Sequence, residues 1–187
     1  FIQVDIEAFE IGRNWIPDLP IVGDAQLVLS AIYAGLQAHP QPGWQNRFRT
    51  WREAKEAYVQ EIEAECRTGA KPIQTKSIVR QINHVFGKNT LLVHENGGQD
   101  LWTYYSPYYQ VLDIDGCLAP GEQTLMGCGV MGAVGAKLAR PEMKVVCVTG
   151  DGAFQMYNQD VVTAVQYNTP VTWVILNNDS LGWPKFH

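Results

Sequence analysis

The sequence predicts an α/β protein in which a parallel sheet is covered by helices on both faces. Two observations carry that prediction. Apolar runs of strand length, Thr90–His94, Lys144–Thr149 and Val171–Leu176, alternate with segments of helical period, and strands joined by crossover helices run parallel. Two of the runs deliver turn-forming residues, Gly150-Asp151-Gly152 and Asn177-Asn178, to what must then be the same edge of the sheet.

Taken in order, residues 1–38 read as a strand, a loop, a short strand and a helix. That helix starts at Asp24 as N-cap and carries Leu29, Ile32, Tyr33 and Leu36 as an apolar stripe. His39-Pro40-Gln41-Pro42-Gly43 breaks it. Residues 39–72 are expected to form a helical linker. Along it Trp44, Phe48, Trp51, Tyr58 and Ile62 recur at helical spacing, as a core or docking face on a charged helix ending near Thr68-Gly69. From Ile73 the pattern becomes regular. A helix carries Ile78, Val79, Ile82 and Phe86, and the strand Thr90–His94 follows. A helix over about Gln99–Tyr105 precedes a short strand at Val111–Ile114. The glycine-rich helix runs from about Leu125 to Arg140, where Pro141 stops it. Strand Lys144–Thr149, a single helix Phe154–Tyr167 and strand Val171–Leu176 complete the order. In that helix Phe154, Tyr157, Val161, Ala164 and Val165 share one face. Both ends are expected to be cut, since Phe1 opens on a strand and His187 follows Asn178 closely.

Composition narrows the class. A length of 187 residues allows one domain or a little more, and 46% hydrophobic residues suffice for a core. A net charge of −5 weighs against nucleic acid or an anionic membrane surface as the main partner. No apolar run is long enough to span a bilayer, and no secretory leader is evident. Cys66, Cys117, Cys128 and Cys147 are scattered without a CxxC pair or zinc-site spacing, which fits a reducing cytoplasm. Cys147, inside a strand pattern, reads as a small core hydrophobe.

The chemistry concentrates at the ends of the last two strands. Asp151 between two glycines is suited to holding a metal: glycine lets backbone approach a bulky anion, and the helix that follows aims free N–H groups at it. A parallel sheet brings Asn177-Asn178 to the same carboxyl edge, where open α/β sheets bind ligands. Asp151 and Asn178 would then offer two hard oxygens, as Mg²⁺ prefers when it also takes phosphate oxygens. Alone, Asp151 would read as a helix N-cap and Asn177-Asn178 as a turn; their spacing promotes both.

Gly150-Asp151-Gly152 with Asn177-Asn178 resembles the signature of thiamine-diphosphate enzymes. Leu125-Met126-Gly127-Cys128-Gly129 with Ala133-Val134-Gly135-Ala136, and Glu95-Asn96-Gly97-Gly98-Gln99-Asp100-Leu101-Trp102, are similar to segments of the acetolactate synthase, pyruvate oxidase and benzoylformate decarboxylase group. Ile2-Gln3-Val4-Asp5-Ile6 and Pro20-Ile21-Val22-Gly23-Asp24 are similar to the end of that group's central domain. The resemblance implies that residues 1–38 end a central domain and that 73–187 form an incomplete diphosphate-binding domain. It implies thiamine diphosphate and Mg²⁺ as cofactors, with FAD left open. The metal ligands it implies are Asp151, Asn178 and the carbonyl of Ser180. Around the diphosphate it places Gly150, Gly152, Ala153 and Gly182, and more loosely Gly98 and Gln99. Ala153 stands where many relatives carry serine, so one hydroxyl contact is absent. Met126 matches the apolar wedge that folds the cofactor into a V, and the Thr124 carbonyl would accept from its exocyclic amine. The resemblance further implies a 2-oxo acid or related carbonyl substrate, decarboxylation or carboligation, and a homodimer or homotetramer. No catalytic residue is expected within these residues, because the family's essential glutamate lies in a domain that precedes them. The segment alone is therefore expected to be inactive.

Two other readings stay open on sequence. Gly127-Cys128-Gly129-Val130-Met131-Gly132 is formally GxGxxG with Asp151 some way on, as in a Rossmann dinucleotide fold. That motif needs a strand running directly into its first glycine, whereas Asp115 to Leu125 reads as a loop. A homologue that keeps the fold without turnover is the other.

Overall fold

A computed structural model describes residues 1–40, 42–66, 69–104, 107–119 and 125–185. They fall into two compact units, Phe1–Lys55 and Glu56–His187. In the first, β1 (Ile2–Asp5) pairs in parallel with β2 (Leu19–Val22), with Ile2 opposite Leu19, and α1 (Ala25–Ala38) follows. Asp24 caps α1 as expected, its carboxylate accepting the Leu27 N–H at 3.0 Å. The apolar stripe of α1 is not buried within the chain, and Leu29 and Tyr33 are largely exposed.

The division between units falls inside α2 (Trp44–Cys66). Of its aromatic stripe, Phe48, Trp51 and Tyr58 are exposed, while Ile62 and Cys66 are buried in the second unit. There Glu63 of α2 receives Nε and Nη2 of Arg80, a buried residue of α3 (Thr75–Phe86) whose Nη1 donates to the Pro107 carbonyl at 3.0 Å. The buried guanidinium is thus paired with a carboxylate, as burial of a charge favours.

The second unit is built on four parallel strands: β3 (Thr90–His94), β4 (Cys117–Leu118), β5 (Lys144–Gly150) and β6 (Val171–Leu176), ordered β4-β3-β5-β6. Successive side chains of a strand point to opposite faces, and the core divides accordingly. Leu91, Val93, Val145 and Cys147 pack on one face with Ala133 and Ala136 of α5 (Cys128–Ala139). Leu92, Val146 and Val148 pack on the other with Val79 and Ile82 of α3. The sheet is thus covered on both sides, as a parallel sheet requires.

Two elements depart from the sequence reading. The strand expected at Val111–Ile114 is displaced to β4, at Cys117–Leu118. Gly116 donates to the Asp113 carbonyl at 3.1 Å and Asp115 takes a positive φ of 60°, so a tight turn moves pairing past the apolar run. Gly116 itself lies where a Cβ would meet backbone oxygens of Asp113 and Thr90 at 3.0 and 3.2 Å, and its carbonyl accepts the Leu92 N–H. The single helix expected at Phe154–Tyr167 is two, α6 (Asp151–Tyr157) and α7 (Asp160–Gln166). Asn158 and Gln159 between them have ψ of −20° and −25°, and Val161 and Val162 bond three residues back, so the chain tightens to a 3₁₀ turn there.

Helix α5 packs closely on β3. A Cβ at Gly129 would stand 2.5 Å from the His94 carbonyl oxygen, whereas one at Gly135 would meet nothing within 4 Å. Gly129→Ala is therefore expected to destabilise the intact protein by about 1–3 kcal/mol through overpacking against rigid backbone. Gly135→Ala in the same helix should stabilise it by about 0.5–1 kcal/mol. Urea denaturation of both variants checks the pair, and equal shifts would contradict this packing.

Candidate functional site

Because the strands are parallel, the segments following β3, β5 and β6 emerge at one edge. The register sets their positions: His94 lies opposite Val148, and Gly150 opposite Leu176. Asp151 therefore begins α6 beside the strand end from which Asn177 and Asn178 continue. The loop after β6 folds back over the start of α6. A Cβ at Gly152 would stand 2.7 Å from Leu181 Cδ2, and one at Gly182 would stand 3.1 Å from Asn178 Nδ2. Glycine at 152 lets the loop after β6 close on the start of α6, and glycine at 182 lets that loop fold back on itself.

Asp151 is half-buried, and among the described residues its carboxylate takes part in no hydrogen bond or ion pair. Asn178 Oδ1 accepts the Ser180 N–H at 3.0 Å, which folds the loop and leaves the amide oxygen a second lone pair. Asn177 does the same for Asp179. No cluster of three His, Cys, Asp or Glu side chains suited to a metal occurs among the described residues. A cation at this corner would thus draw on one carboxylate, an amide oxygen, a backbone carbonyl and the oxygens of its ligand, a hard-donor set.

From the β3 side, Gln99 is buried. Its Nε2 donates to the Glu95 carbonyl at 2.8 Å, and its Oε1 lies 3.9 Å from where a Gly150 Cβ would be. Gln99 thereby lies beside Gly150 at the end of β5. Gly98 is exposed, with nothing near its Cβ position. Ala153 is buried in the first turn of α6, and Met126 is half-buried just before α5. Thr124 lies outside the described residues.

Residues 98–187 match the thiamine pyrophosphate enzyme, C-terminal TPP binding domain. Residues 98–187 thus correspond to the cofactor-binding domain of thiamine pyrophosphate (thiamine diphosphate) enzymes. Over 97% of its length it is 31% identical to a probable acetolactate synthase large subunit of Methanococcus aeolicus, and 32% identical to that of Methanocaldococcus jannaschii. It spans 32% and 31% of those relatives, so about a third of their length. A thiamine diphosphate-dependent 4-hydroxybenzoylformate decarboxylase of Rhodococcus jostii shares the fold. There the TM-score is 0.54 at 24% identity, over 61% of this chain and 21% of that one.

In this thiamine-pyrophosphate-binding domain the Rossmann reading fails on two counts. Strand β4 ends at Leu118, well before Gly127, and the N–H groups of Gly127, Gly129 and Val130 are already taken by the Glu95 carboxylate. They are not free for a dinucleotide phosphate.

That carboxylate was not singled out in the sequence. Neither were its neighbours His94 and Asp100, although an acid directly after a strand with the apolar centre Leu91-Leu92-Val93 and before Gly97-Gly98 is a readable signal. His94 is fully buried, stacked on Tyr104 with ring centroids 4.6 Å apart. Thr103 Oγ1 gives its proton to the Asp100 carbonyl, so it accepts from His94 Nδ1 at 2.7 Å, leaving Nε2 to the Cys117 thiol at 2.9 Å. Burial pulls the His94 pKa down to about 4, so the ring is neutral near pH 7.

Burial also pushes the Asp100 carboxyl up to about 7, opposed by one N–H from Gly97 at 3.3 Å and reinforced by the charge of Glu95. Burial raises Glu95 as well, but four N–H donors favour its anion, so of the two Asp100 is the one that takes up a proton. A carboxyl raised from 3.8 to about 7 binds its proton more tightly folded than unfolded. The stability it contributes is full below pH 3.8 and is lost as pH rises through 7. Asp100→Asn, which keeps an acceptor for Gly97, should raise Tm relative to the parent more at pH 8 than at pH 4. Differential scanning calorimetry of the intact protein at both values checks this, and a pH-independent difference would contradict it.

Proposed function

We propose that the chain is the cofactor-holding part of an enzyme that binds thiamine diphosphate through Mg²⁺ and acts on a 2-oxo acid, by decarboxylation, carboligation or both. The observation that carries the reading is the corner where Asp151 and Asn178 emerge from adjacent parallel strands, inside the segment that matches the thiamine-pyrophosphate-binding domain. The acetolactate synthase relatives support the substrate class.

The residues fit the group. Asp151, the Asn178 amide oxygen and the Ser180 carbonyl would hold the cation, which neutralises the diphosphate. Backbone N–H groups of Gly152, Ala153 and Gly182 would serve phosphate oxygens, with Gly150 keeping that approach open and Gly98 and Gln99 on the opposite side. The half-buried Met126 would support the folded cofactor, with the Thr124 carbonyl beside it. When bound, the cofactor supplies the carbanion chemistry that lets a carboxylate leave a 2-oxo acid. The chain's own part is to bind, orient and keep water away. The glutamate that activates the cofactor, and the remainder of the substrate pocket, would come from the portion of the relatives' length that this chain does not span. A homodimer or homotetramer would complete such a site. The unpaired cysteines fit a reducing cytoplasm, and no helix among the described residues is long and apolar enough to cross a membrane.

Titration calorimetry of the intact protein with thiamine diphosphate and Mg²⁺ tests the reading. Asp151→Ala should lower cofactor affinity by at least about 100-fold while the fold persists, since even outer-shell partners of a metal cost 10- to 100-fold. Met126→Ala should keep affinity within about threefold and lower turnover of a 2-oxo acid by at least about tenfold, because positioning errors fall on kcat. Magnesium-independent binding, or unchanged affinity in Asp151→Ala, would overturn the proposal.

A further inference from the structure

Glu95 follows β3 directly and is completely buried. Its carboxylate accepts N–H groups from Asn96 at 2.9 Å, Gly127 at 2.7 Å, Gly129 at 2.8 Å and Val130 at 3.1 Å. No cationic side chain pairs with it among the described residues. A desolvated carboxylate is costly, and the N–H array with the positive end of α5 offsets that cost. An ordinary helix cap is a short polar side chain just before the helix, usually in contact with water. Here the charge comes from a strand 32 residues earlier in the chain than Gly127, and water is excluded.

The backbone around the clamp is shaped to reach it. Gly127 has φ of +88°, where a Cβ would overlap the Tyr157 ring, and Gly129 sits against the His94 carbonyl. The Gly127 N–H belongs to the same planar peptide unit as the Met126 carbonyl. Holding that N–H at 2.7 Å therefore anchors the peptide unit that contains the Met126 Cα. The Glu95 carbonyl also accepts Gln99 Nε2 at 2.8 Å, and Gln99 Oε1 lies 3.9 Å from where a Gly150 Cβ would be.

We propose that Glu95 is a positioning residue: by clamping the Met126-Gly127 turn through buried backbone hydrogen bonds, it sets where Met126 meets the cofactor without touching the cofactor itself. This rests on the thiamine diphosphate reading above. A role confined to fold stability predicts a different outcome, because a folded variant saturated with cofactor would then turn over normally.

The test is a double-mutant cycle on the intact protein, read as kcat at saturating thiamine diphosphate and Mg²⁺, with calorimetric cofactor affinity measured alongside. Glu95→Gln has the same shape but turns an NH₂ group toward backbone donors. It should lower kcat by at least about tenfold, as displacement of a positioned group does. If Glu95 acts through Met126, the same change in a Met126→Ala background should cost less than about threefold more, because coupled residues are non-additive. Unchanged kcat with only a lowered Tm would overturn the proposal, as would fully multiplicative losses. Should Glu95→Gln not fold, Glu95→Asp, which keeps the charge with a shorter reach, takes its place in the same cycle. If the parent binds no thiamine diphosphate with Mg²⁺, the functional reading itself fails. If it binds and Glu95→Gln turns over normally, only the role of Glu95 is lost.

Discussion

The parallel ladder β3-β5-β6 is the constraint on which the rest depends. Parallel pairing requires that every strand leave the sheet in the same direction, and each return must then be made by a crossover. Three segments far apart in sequence, starting at Glu95, Asp151 and Asn177, consequently emerge side by side. Burial on both faces holds the register, since a slip of one residue would turn Val145 and Cys147 out of one core cluster and Val146 and Val148 out of the other. The site edge is thus held by apolar packing that takes no part in its chemistry.

At that edge two kinds of close approach do separate jobs. Glycine at 152 lets Leu181 of the loop after β6 lie on the start of α6, and glycine at 182 lets that loop fold tightly on its own Asn178. Glycine at 129 lets α5 descend onto the end of β3, and glycine at 127 leaves room for the Tyr157 ring, while the N–H groups of both meet Glu95. The first arrangement leaves the Asp151 carboxylate without a partner among the described residues, and the second gives a carboxylate four backbone donors. The two carboxylates thus sit in opposite environments, one open to a further partner and one filled by backbone donors.

The buried polar loop between β3 and α4 (Asp100–Tyr104) is organised by proton bookkeeping. His94 is kept neutral by burial, with each ring nitrogen given a partner. Glu95 holds four N–H donors and Asp100 one, so the two buried acids sit in unequal environments. Low dielectric makes such a network sensitive to any single substitution.

By itself the sequence determined the α/β class, the strands 90–94 and 171–176 and the capping of α1, because apolar runs, helical period and an aspartate before a helix act locally. It also determined, through the motifs around Met126, Asp151 and Asn178, which family of cofactor-binding domains to expect. The tertiary structure decided what depends on distant partners. Val111–Ile114 is apolar enough for a strand, yet the turn at Asp113–Gly116 hands the pairing with Leu92 to Cys117. The stripes of α1 and α2 have helical period, but period cannot say what covers them, and most of their large side chains stay exposed within this chain. Glu95 looked like one residue of a loop. Only packing α5 onto β3 converts it into a buried anion, because its partners are backbone N–H groups, and backbone groups are the same in every sequence.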